Sequence, residues 1–175
     1  MTPTSIDQYG RITTEAKSDG TGKTITYDAQ GNVSAVTYEC GASEKYDYDG
    51  AGRVIAAYDQ NGNKTEFAYD ANGNLTMMKD ALGRTTKYVY DSRNFVTSVQ
   101  DARGFITQLA NNDSGKPTKI TDPLKNITSL AYDQSTNVTS ITNGRGFATK
   151  MQFDASANVT SVEDPTGAKT IYVYD

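Results

Sequence analysis

The chain has 175 residues, a formal net charge of -4 and 36% hydrophobic residues, with 12 tyrosines but no tryptophan and no histidine. It has no run of lysines and arginines, which argues against nucleic-acid binding, and no apolar run near the roughly 20 residues that a membrane-spanning helix needs. The modest apolar content favours a sheet with one apolar face over a thick globular core.

After a lead-in of residues 1–5, the chain repeats with a fixed period of 21 residues. Each repeat opens on the same kind of pair, usually Tyr-Asp. The pairs are Ile6-Asp7, Tyr27-Asp28, Tyr48-Asp49, Tyr69-Asp70, Tyr90-Asp91, Asn111-Asn112, Tyr132-Asp133, Phe153-Asp154 and Tyr174-Asp175. We number the first residue of each pair as position 0. Residues 6–173 are predicted to form eight repeats in one continuous array, and residues 174–175 to begin a further repeat.

Each repeat contains two turns, most of them of the form D-x-x-G, with aspartate favoured at positions 1 and 11 and glycine at positions 4 and 14. The aspartate carboxylate can accept hydrogen bonds from backbone N–H groups of the turn, and glycine supplies a positive φ without a steric clash. Asn94 replaces one of these glycines, and asparagine tolerates the left-handed region well. Lys125, Thr136 and Ala157 fit the glycine position less well, so we expect their turns to differ in geometry.

The segments between the turns have the composition of short β-strands. In the second strand of a repeat, Thr86, Tyr88 and Tyr90 alternate with more polar positions such as Lys87, which indicates one buried and one solvated face. In the first strand the apolar residues stand at positions 6 and 9, which a regular strand cannot place on one face. We therefore predict a bulge between positions 7 and 8. The fold class predicted is all-β, with two short antiparallel strands per repeat and about sixteen strands in total.

The motif Y-D-x-x-G-[NR] followed by D-x-x-G-[NR], as in residues 48–53 and 59–63, resembles the YD repeats of Rhs proteins. This family includes bacterial polymorphic toxins, wall-associated proteins, shell components of insecticidal toxin complexes, and teneurins. The resemblance implies one long, curved or spiralling, solenoid-like β-sheet that forms a hollow shell. It also implies a secreted or cell-surface bacterial protein whose shell encloses or displays a C-terminal effector polypeptide.

Two departures from the motif have structural consequences. The repeat that begins at Asn111 lacks the Tyr-Asp pair, and Pro117 replaces the usual valine at position 6. Since proline cannot donate to a strand ladder, we expect the sheet to be weakened or kinked there. The Asp-Pro pairs at Asp122 and Asp164 stand at ordinary turn positions, so we interpret them as turns and not as a processing site.

The sequence predicts no enzymatic activity, no cofactor and no metal site. Without histidine, no Ser-His or Cys-His pair can form, and Asp47 and Asp49 stand at an outward and a turn position. Asp70 begins a stretch like a calcium loop, but Ala81 occupies the place of the bidentate glutamate. Cys40 is the only cysteine, so it has no intramolecular disulfide partner.

If the chain binds a partner, we expect the aromatic positions to form the binding face. These residues are Tyr27, Tyr46, Tyr48, Phe67, Tyr69, Tyr88, Tyr90 and Tyr132. Tyrosine offers broad amphipathic contact, which suits an enclosed polypeptide. The alternative is an extracellular module that uses the same face to bind carbohydrate or a cell surface. The partners expected are the rest of the parent polypeptide, an effector and possible glycans, with self-association through exposed sheet edges.

Overall fold

The computed structural model describes residues 4–16 and 21–174. Residues 1–3 of the lead-in, the turn glycine Gly20, and Asp175 of the further repeat lie outside the described residues. The described part contains seventeen strands, and its strand pairs are antiparallel. The prediction of an all-β fold with antiparallel pairing is confirmed. No helix of the length and apolarity needed to cross a membrane occurs among the described residues.

The chain divides into two compact units, Met1–Thr86 and Lys87–Asp175, and the boundary falls within one strand. In the first unit the strands are β1 (Thr4–Ile6), β2 (Ile12–Ala16), β3 (Gly22–Tyr27), β4 (Val33–Tyr38), β5 (Ser43–Tyr48), β6 (Val54–Tyr58), β7 (Lys64–Tyr69) and β8 (Leu75–Lys79). β9 (Thr85–Tyr90) spans the boundary. In the second unit follow β10 (Val96–Gln100), β11 (Ile106–Asn111), β12 (Pro117–Thr121), β13 (Ile127–Tyr132), β14 (Val138–Asn143), β15 (Ala148–Phe153), β16 (Val159–Glu163) and β17 (Lys169–Ile171). Within each unit, strands adjacent in the chain are adjacent in the sheet.

A β-bulge recurs in every described hairpin that closes over a position-1 turn. In the β3–β4 hairpin, Tyr27 pairs with Val33 and Thr26 pairs with Ala35, which leaves Ser34 as the extra residue. The same irregularity occurs in the other hairpins of this kind. The predicted bulge is therefore present, and its extra residue stands at position 7, between the paired positions 6 and 8.

Some threonine side chains at the bulge position form a hydrogen bond to the opposite strand. The hydroxyl of Thr76 donates to the carbonyl of Ala68 at 3.1 Å, and Thr118 donates to Ala110 at 3.1 Å. Both carbonyls lie on the strand opposite the bulge, where the ladder is locally disrupted. In these hairpins the threonine at position 7 thus compensates for a hydrogen-bonding irregularity that the bulge creates.

Burial is shallow throughout the described residues. Of residues 4–16 and 21–174, only Ala56 and Ser161 are buried, at 4% and 5% exposure. The expected alternation is nevertheless clear in β5, where Tyr46 and Tyr48 are half-buried while Lys45 and Asp47 are exposed. The two faces of the sheet therefore differ in the way that the sequence predicts.

The expectation that turns without glycine differ in geometry is wrong. Lys125, Thr136 and Ala157 adopt φ values of 67°, 66° and 64°, close to the 66° of Asn94. Their backbone N–H groups also donate to the turn aspartate carbonyl, at 3.0 to 3.1 Å, as the glycines do. The hydrogen bonds of the turn and the paired strands on either side hold these residues in the left-handed region despite their Cβ atoms.

The expected kink at Pro117 is also absent from the strand register. Pro117 is the first residue of β12, a place where proline is tolerated, and it pairs opposite Asn111 with the same bulge as the other hairpins. Its carbonyl oxygen still accepts a hydrogen bond, from the hydroxyl of Tyr132 at 2.8 Å. Proline removes only a backbone donor, so this acceptor is unaffected.

Replacing Thr136 by glycine should stabilise the protein by about 1 kcal/mol, because it removes a β-branched residue from a left-handed conformation. Urea unfolding of the purified chain would measure this. Ser135→Gly in the same exposed turn is the control, and we expect it to be slightly destabilising through the greater entropy of the unfolded chain. Equal effects of the two substitutions would contradict the strain at Thr136.

Candidate functional site

Several tyrosines of the predicted aromatic face form hydrogen bonds that connect one hairpin to the next. The hydroxyl of Tyr27 donates to the carbonyl of Ile12 at 2.8 Å, across from β3 to β2. Three position-0 tyrosines of later repeats make the same bond to the position-6 carbonyl of the preceding hairpin. These are Tyr48 to Val33 at 2.9 Å, Tyr69 to Val54 at 2.9 Å, and Tyr132 to Pro117 at 2.8 Å.

The register of the sheet explains why a side chain is needed there. Between β2 and β3 the paired residues are 14 with 24, 15 with 23, and 16 with 22, so the ladder ends at position 8. The position-6 carbonyl of Ile12 lies beyond that end, between the bulge and the turn. The backbone of β3 therefore does not pair with this carbonyl, and the tyrosine hydroxyl donates the hydrogen bond to it instead.

The repeat without a Tyr-Asp pair keeps the same connection. The side-chain amide of Asn111 donates to the carbonyl of Val96 at 2.8 Å, in place of a tyrosine hydroxyl. Asn112 likewise replaces the turn aspartate, because its side-chain oxygen accepts from the backbone N–H groups of Ser114 and Lys116 at 3.0 and 2.9 Å. Phe153 has no hydroxyl and cannot make this bond.

The aspartate carboxylates order the backbone of the turns at the ends of the strands. One oxygen of Asp28 accepts from the backbone N–H groups of Gln30 and Asn32 at 2.9 and 2.8 Å, and the other accepts from the Asn32 side-chain amide at 3.0 Å. This arrangement accounts for the preference for asparagine or arginine at position 5. In the arginine variant, Arg53 Nε donates to Asp49 at 2.7 Å.

Arginine at position 5 also links a turn to the following repeat. Arg53 Nη1 donates to the carbonyl of Asp70 at 3.2 Å, and its guanidinium lies 4.9 Å from the ring centroid of Tyr69. Arg11 similarly lies 4.3 Å from the ring centroid of Tyr27. Such cation–π contacts contribute roughly 0.5–1 kcal/mol at exposed sites. They also cover part of the aromatic surface of two predicted binding residues.

The hydrogen bonds of the turns change the acidity of their carboxyl groups. The side-chain amides of Asn32, Asn63 and Asn74 lower the pKa values of Asp28, Asp59 and Asp70 below their usual 3.8, and backbone N–H donors add to the effect. Burial raises the pKa of the Tyr46 and Tyr48 hydroxyls. The aspartates are therefore held in their ionised, hydrogen-bond-accepting form.

A second arrangement on the aromatic face was not predicted from the sequence. The carboxylate of Glu44 accepts from the hydroxyls of Tyr38 and Tyr46, at 3.2 and 3.0 Å, and from the Gln60 side-chain amide at 3.2 Å. The Gln60 bond and then the Tyr46 bond lower the Glu44 pKa. The one signal in the sequence is that Glu44 stands at position 17, where most repeats carry threonine.

Of the predicted face, Tyr46 alone lines the groove beside Glu44. This shallow groove, about 220 Å3 in volume, is lined by Glu44, Tyr46, Ala57, Tyr58, Asp59, Asn63 and Thr65. Tyr27, Tyr48, Tyr69 and Tyr132 act in the connections between hairpins. Phe67 in the first unit and Tyr88 and Tyr90 in the second are half-buried on the same alternating positions of their strands.

The residues weighed for chemistry take part in turns and strand contacts. Asp49 accepts from Arg53 in its turn, and Asp47 accepts from the hydroxyl of Tyr58 at 3.2 Å. The carboxylates of Asp122 and Asp164 accept hydrogen bonds of 2.8 Å from the backbone N–H groups of Asn126 and Thr166, in agreement with the turn interpretation of both Asp-Pro pairs. The thiol of Cys40 is free and exposed. Within the described ranges no three metal-ligating side chains are grouped together.

Regular hairpins, connected in the same way from repeat to repeat, define a β-repeat protein. The RHS Repeat family profile matches residues 48–82, 71–106 and 112–148, which together make up more than half of the chain. The chain therefore belongs to the RHS Repeat family, and the resemblance seen in the sequence is confirmed. No curated protein sequence matches the chain.

Solved structures share the fold. The chain is similar to a part of the TcdB2-TccC3-Cdc42 complex, with a TM-score of 0.56, 16% identity, and coverage of 93% of this chain and 11% of that chain. For TcdB2-TccC3 the values are 0.58, 16%, 93% and 12%. For the Photorhabdus luminescens Tc holotoxin pore they are 0.56, 16%, 93% and 11%. The chain thus spans about a ninth of the length of these proteins, and the likeness concerns the fold alone.

Replacing Tyr48 by phenylalanine should destabilise the protein by about 1 kcal/mol, because the carbonyl of Val33 loses its donor. Phe153→Tyr should have the opposite effect, about 0.5–1 kcal/mol, by supplying the missing hydroxyl. Urea unfolding measures both. Tyr88→Phe is the control, since no partner of its hydroxyl occurs among the described residues, and a loss there equal to that of Tyr48→Phe would refute the connecting role.

The free energy of unfolding should decrease on acidification, because the turn aspartates become protonated and lose their stabilising hydrogen bonds. Their folded-state pKa values lie below 3.8, so their contribution is complete above that pH and disappears as the pH falls through the lowered values. Thermal unfolding from pH 7 to pH 2, followed by circular dichroism, would measure this. Asp59→Asn should be less stable than the parent at pH 7, and the difference should shrink as the pH falls toward 2, whereas a constant difference would contradict the assignment.

Proposed function

We propose that the chain is a non-catalytic structural segment of a secreted or cell-surface bacterial protein. It forms part of the wall of a β-shell that encloses or displays a C-terminal effector polypeptide. Membership of the RHS Repeat family and the shared fold with chains of toxin complexes support this. The observation that carries the proposal is the repeated hydroxyl-to-carbonyl bond, because it adds each hairpin to the preceding one in the same way.

The two faces suit a wall between a polypeptide and solvent. One face presents half-buried aromatic residues such as Tyr46 and Tyr88, which offer apolar contact without requiring one partner sequence. The other face carries charged groups that neutralise one another, as where Glu66 pairs with Lys64 at 2.8 Å and Lys79 at 3.0 Å. The partners proposed are therefore the rest of the parent polypeptide and an effector.

Carbohydrate or cell-surface binding by the aromatic face is the alternative, and the geometry favours it less. A sugar site uses exposed ring faces and free hydroxyls. The hydroxyls of Tyr48 and Tyr132 donate hydrogen bonds to backbone carbonyls, and a guanidinium lies over the ring of Tyr27 and another over the ring of Tyr69.

Self-association through exposed strands remains a further prediction, and Ile171 of β17 is 71% exposed.

Site-specific photo-cross-linking in the full parent protein tests the proposed function. A benzophenone amino acid at Tyr88 should cross-link to the effector polypeptide, and one at Lys87 should not, because adjacent residues of β9 lie on opposite faces. Mass spectrometry of the cross-linked peptides identifies the partner. Cross-linking from Lys87 alone would place the effector on the other face, and saturable binding of one sugar on a glycan array, lost in Tyr46→Ala, would favour the alternative.

A further inference from the structure

Grooves between consecutive position-11 turns occur in both units, and they differ in charge. In the first unit a groove lies between turns 59–63 and 80–84, with Lys64, Lys79 and Glu66 in its lining. Glu66 pairs with both lysines, at 2.8 and 3.0 Å, so that the cations of this groove are already neutralised. The corresponding groove of the second unit differs from this neutralised groove in its charge.

The groove between turns 122–126 and 143–147, here named the basic groove, has a volume of about 360 Å3. It is lined by Lys125, Asn126, Ile127, Thr128, Asn143, Gly144 and Arg145. This lining includes two cations and no acid. Neither Lys125 nor Arg145 forms an ion pair within the described part of the chain.

The sequence itself creates this charge imbalance. Position 11 carries aspartate in Asp122 but asparagine in Asn143, which removes the acid that would stand beside Arg145. The side-chain oxygen of Asn143 still holds the turn, since it accepts from the backbone N–H groups of Arg145 at 3.0 Å and Phe147 at 3.1 Å. In the turn of Asp101, by contrast, Arg103 pairs with the carboxylate at 3.3 Å. The turn geometry is thus kept while the cation is left available.

Apolar side chains flank the basic groove on the same two turns. Leu124 is 81% exposed and Phe147 is 54% exposed. Gly144 packs closely against β13, because a Cβ atom there would lie 3.3 Å from the backbone nitrogen of Ile127. A ligand of the basic groove would therefore meet two cations in the lining, with an exposed apolar side chain on each of the two turns that bound it.

We propose that the basic groove is a docking site for an acidic peptide segment. A carboxylate of the segment binds between Lys125 and Arg145, and a neighbouring apolar side chain contacts Leu124 or Phe147. Arginine recognises carboxylates through its planar set of N–H donors, and charge complementarity directs such a segment to this groove and not to the neutralised one. This inference goes beyond the shell function, because it names the kind of peptide that binds between two particular turns of the second unit.

Titration calorimetry of the 175-residue chain tests the proposal. The probes are a capped octapeptide of alternating glutamate and phenylalanine, its glutamine-phenylalanine counterpart, and inorganic phosphate. The acidic peptide should bind saturably, and the glutamine peptide about ten-fold more weakly, the worth of one charge-assisted hydrogen bond. Arg145→Gln should weaken binding of the acidic peptide by a similar factor.

Two further variants separate binding from folding. Asn143→Asp restores the usual turn residue, so the fold should persist while the added acid weakens peptide binding. Lys125→Gly should raise the melting temperature, because Lys125 has a φ of 67°, and should still weaken binding. Arg103→Gln, in a turn outside the groove, should leave affinity unchanged. The proposal fails if the glutamine peptide or phosphate binds as tightly as the acidic peptide, or if Arg145→Gln has no effect.

Discussion

The hydrogen bond from a position-0 side chain to a position-6 carbonyl is the contact on which the array of hairpins depends. The backbone ladder between consecutive hairpins ends at position 8, because the bulge diverts the strand before its turn. Tyr27 closes the remaining gap in one repeat, and Asn111 closes it in another with a different functional group. What the fold requires at this position is a donor of sufficient reach, and tyrosine also brings a ring that covers the sheet.

The turns combine with this connection to define a unit that needs little from distant parts of the chain. A turn carboxylate orders its own backbone, the residue at position 5 neutralises or caps that carboxylate, and arginine there reaches the next turn, as Arg53 does to Asp70. Burial stays shallow because these polar contacts replace a thick core. Stability in such arrays is approximately a sum over units and their interfaces.

The sequence was sufficient for the repeat, the all-β class, the alternating faces and the bulge, because each of these follows from local periodicity. It was insufficient where one residue type performs the role of another. Thr136 and Ala157 adopt the glycine conformation because their neighbours impose it, and Pro117 keeps its register because only its carbonyl is needed. The roles of Tyr48 and Glu44 depend on partners 15 and 16 residues away, and no periodicity in the sequence identifies these partners.

The short reach of these contacts has a consequence for how the chain folds and how it would unfold under a pulling force. The connections between hairpins described above join residues only 15 to 17 positions apart in sequence. A chain with such low contact order can complete each hairpin soon after synthesis of the next tyrosine, without waiting for a remote segment. The same property means that a translocation machine pulling on one end would meet a series of small, similar barriers, each of about one repeat, instead of a single cooperative one.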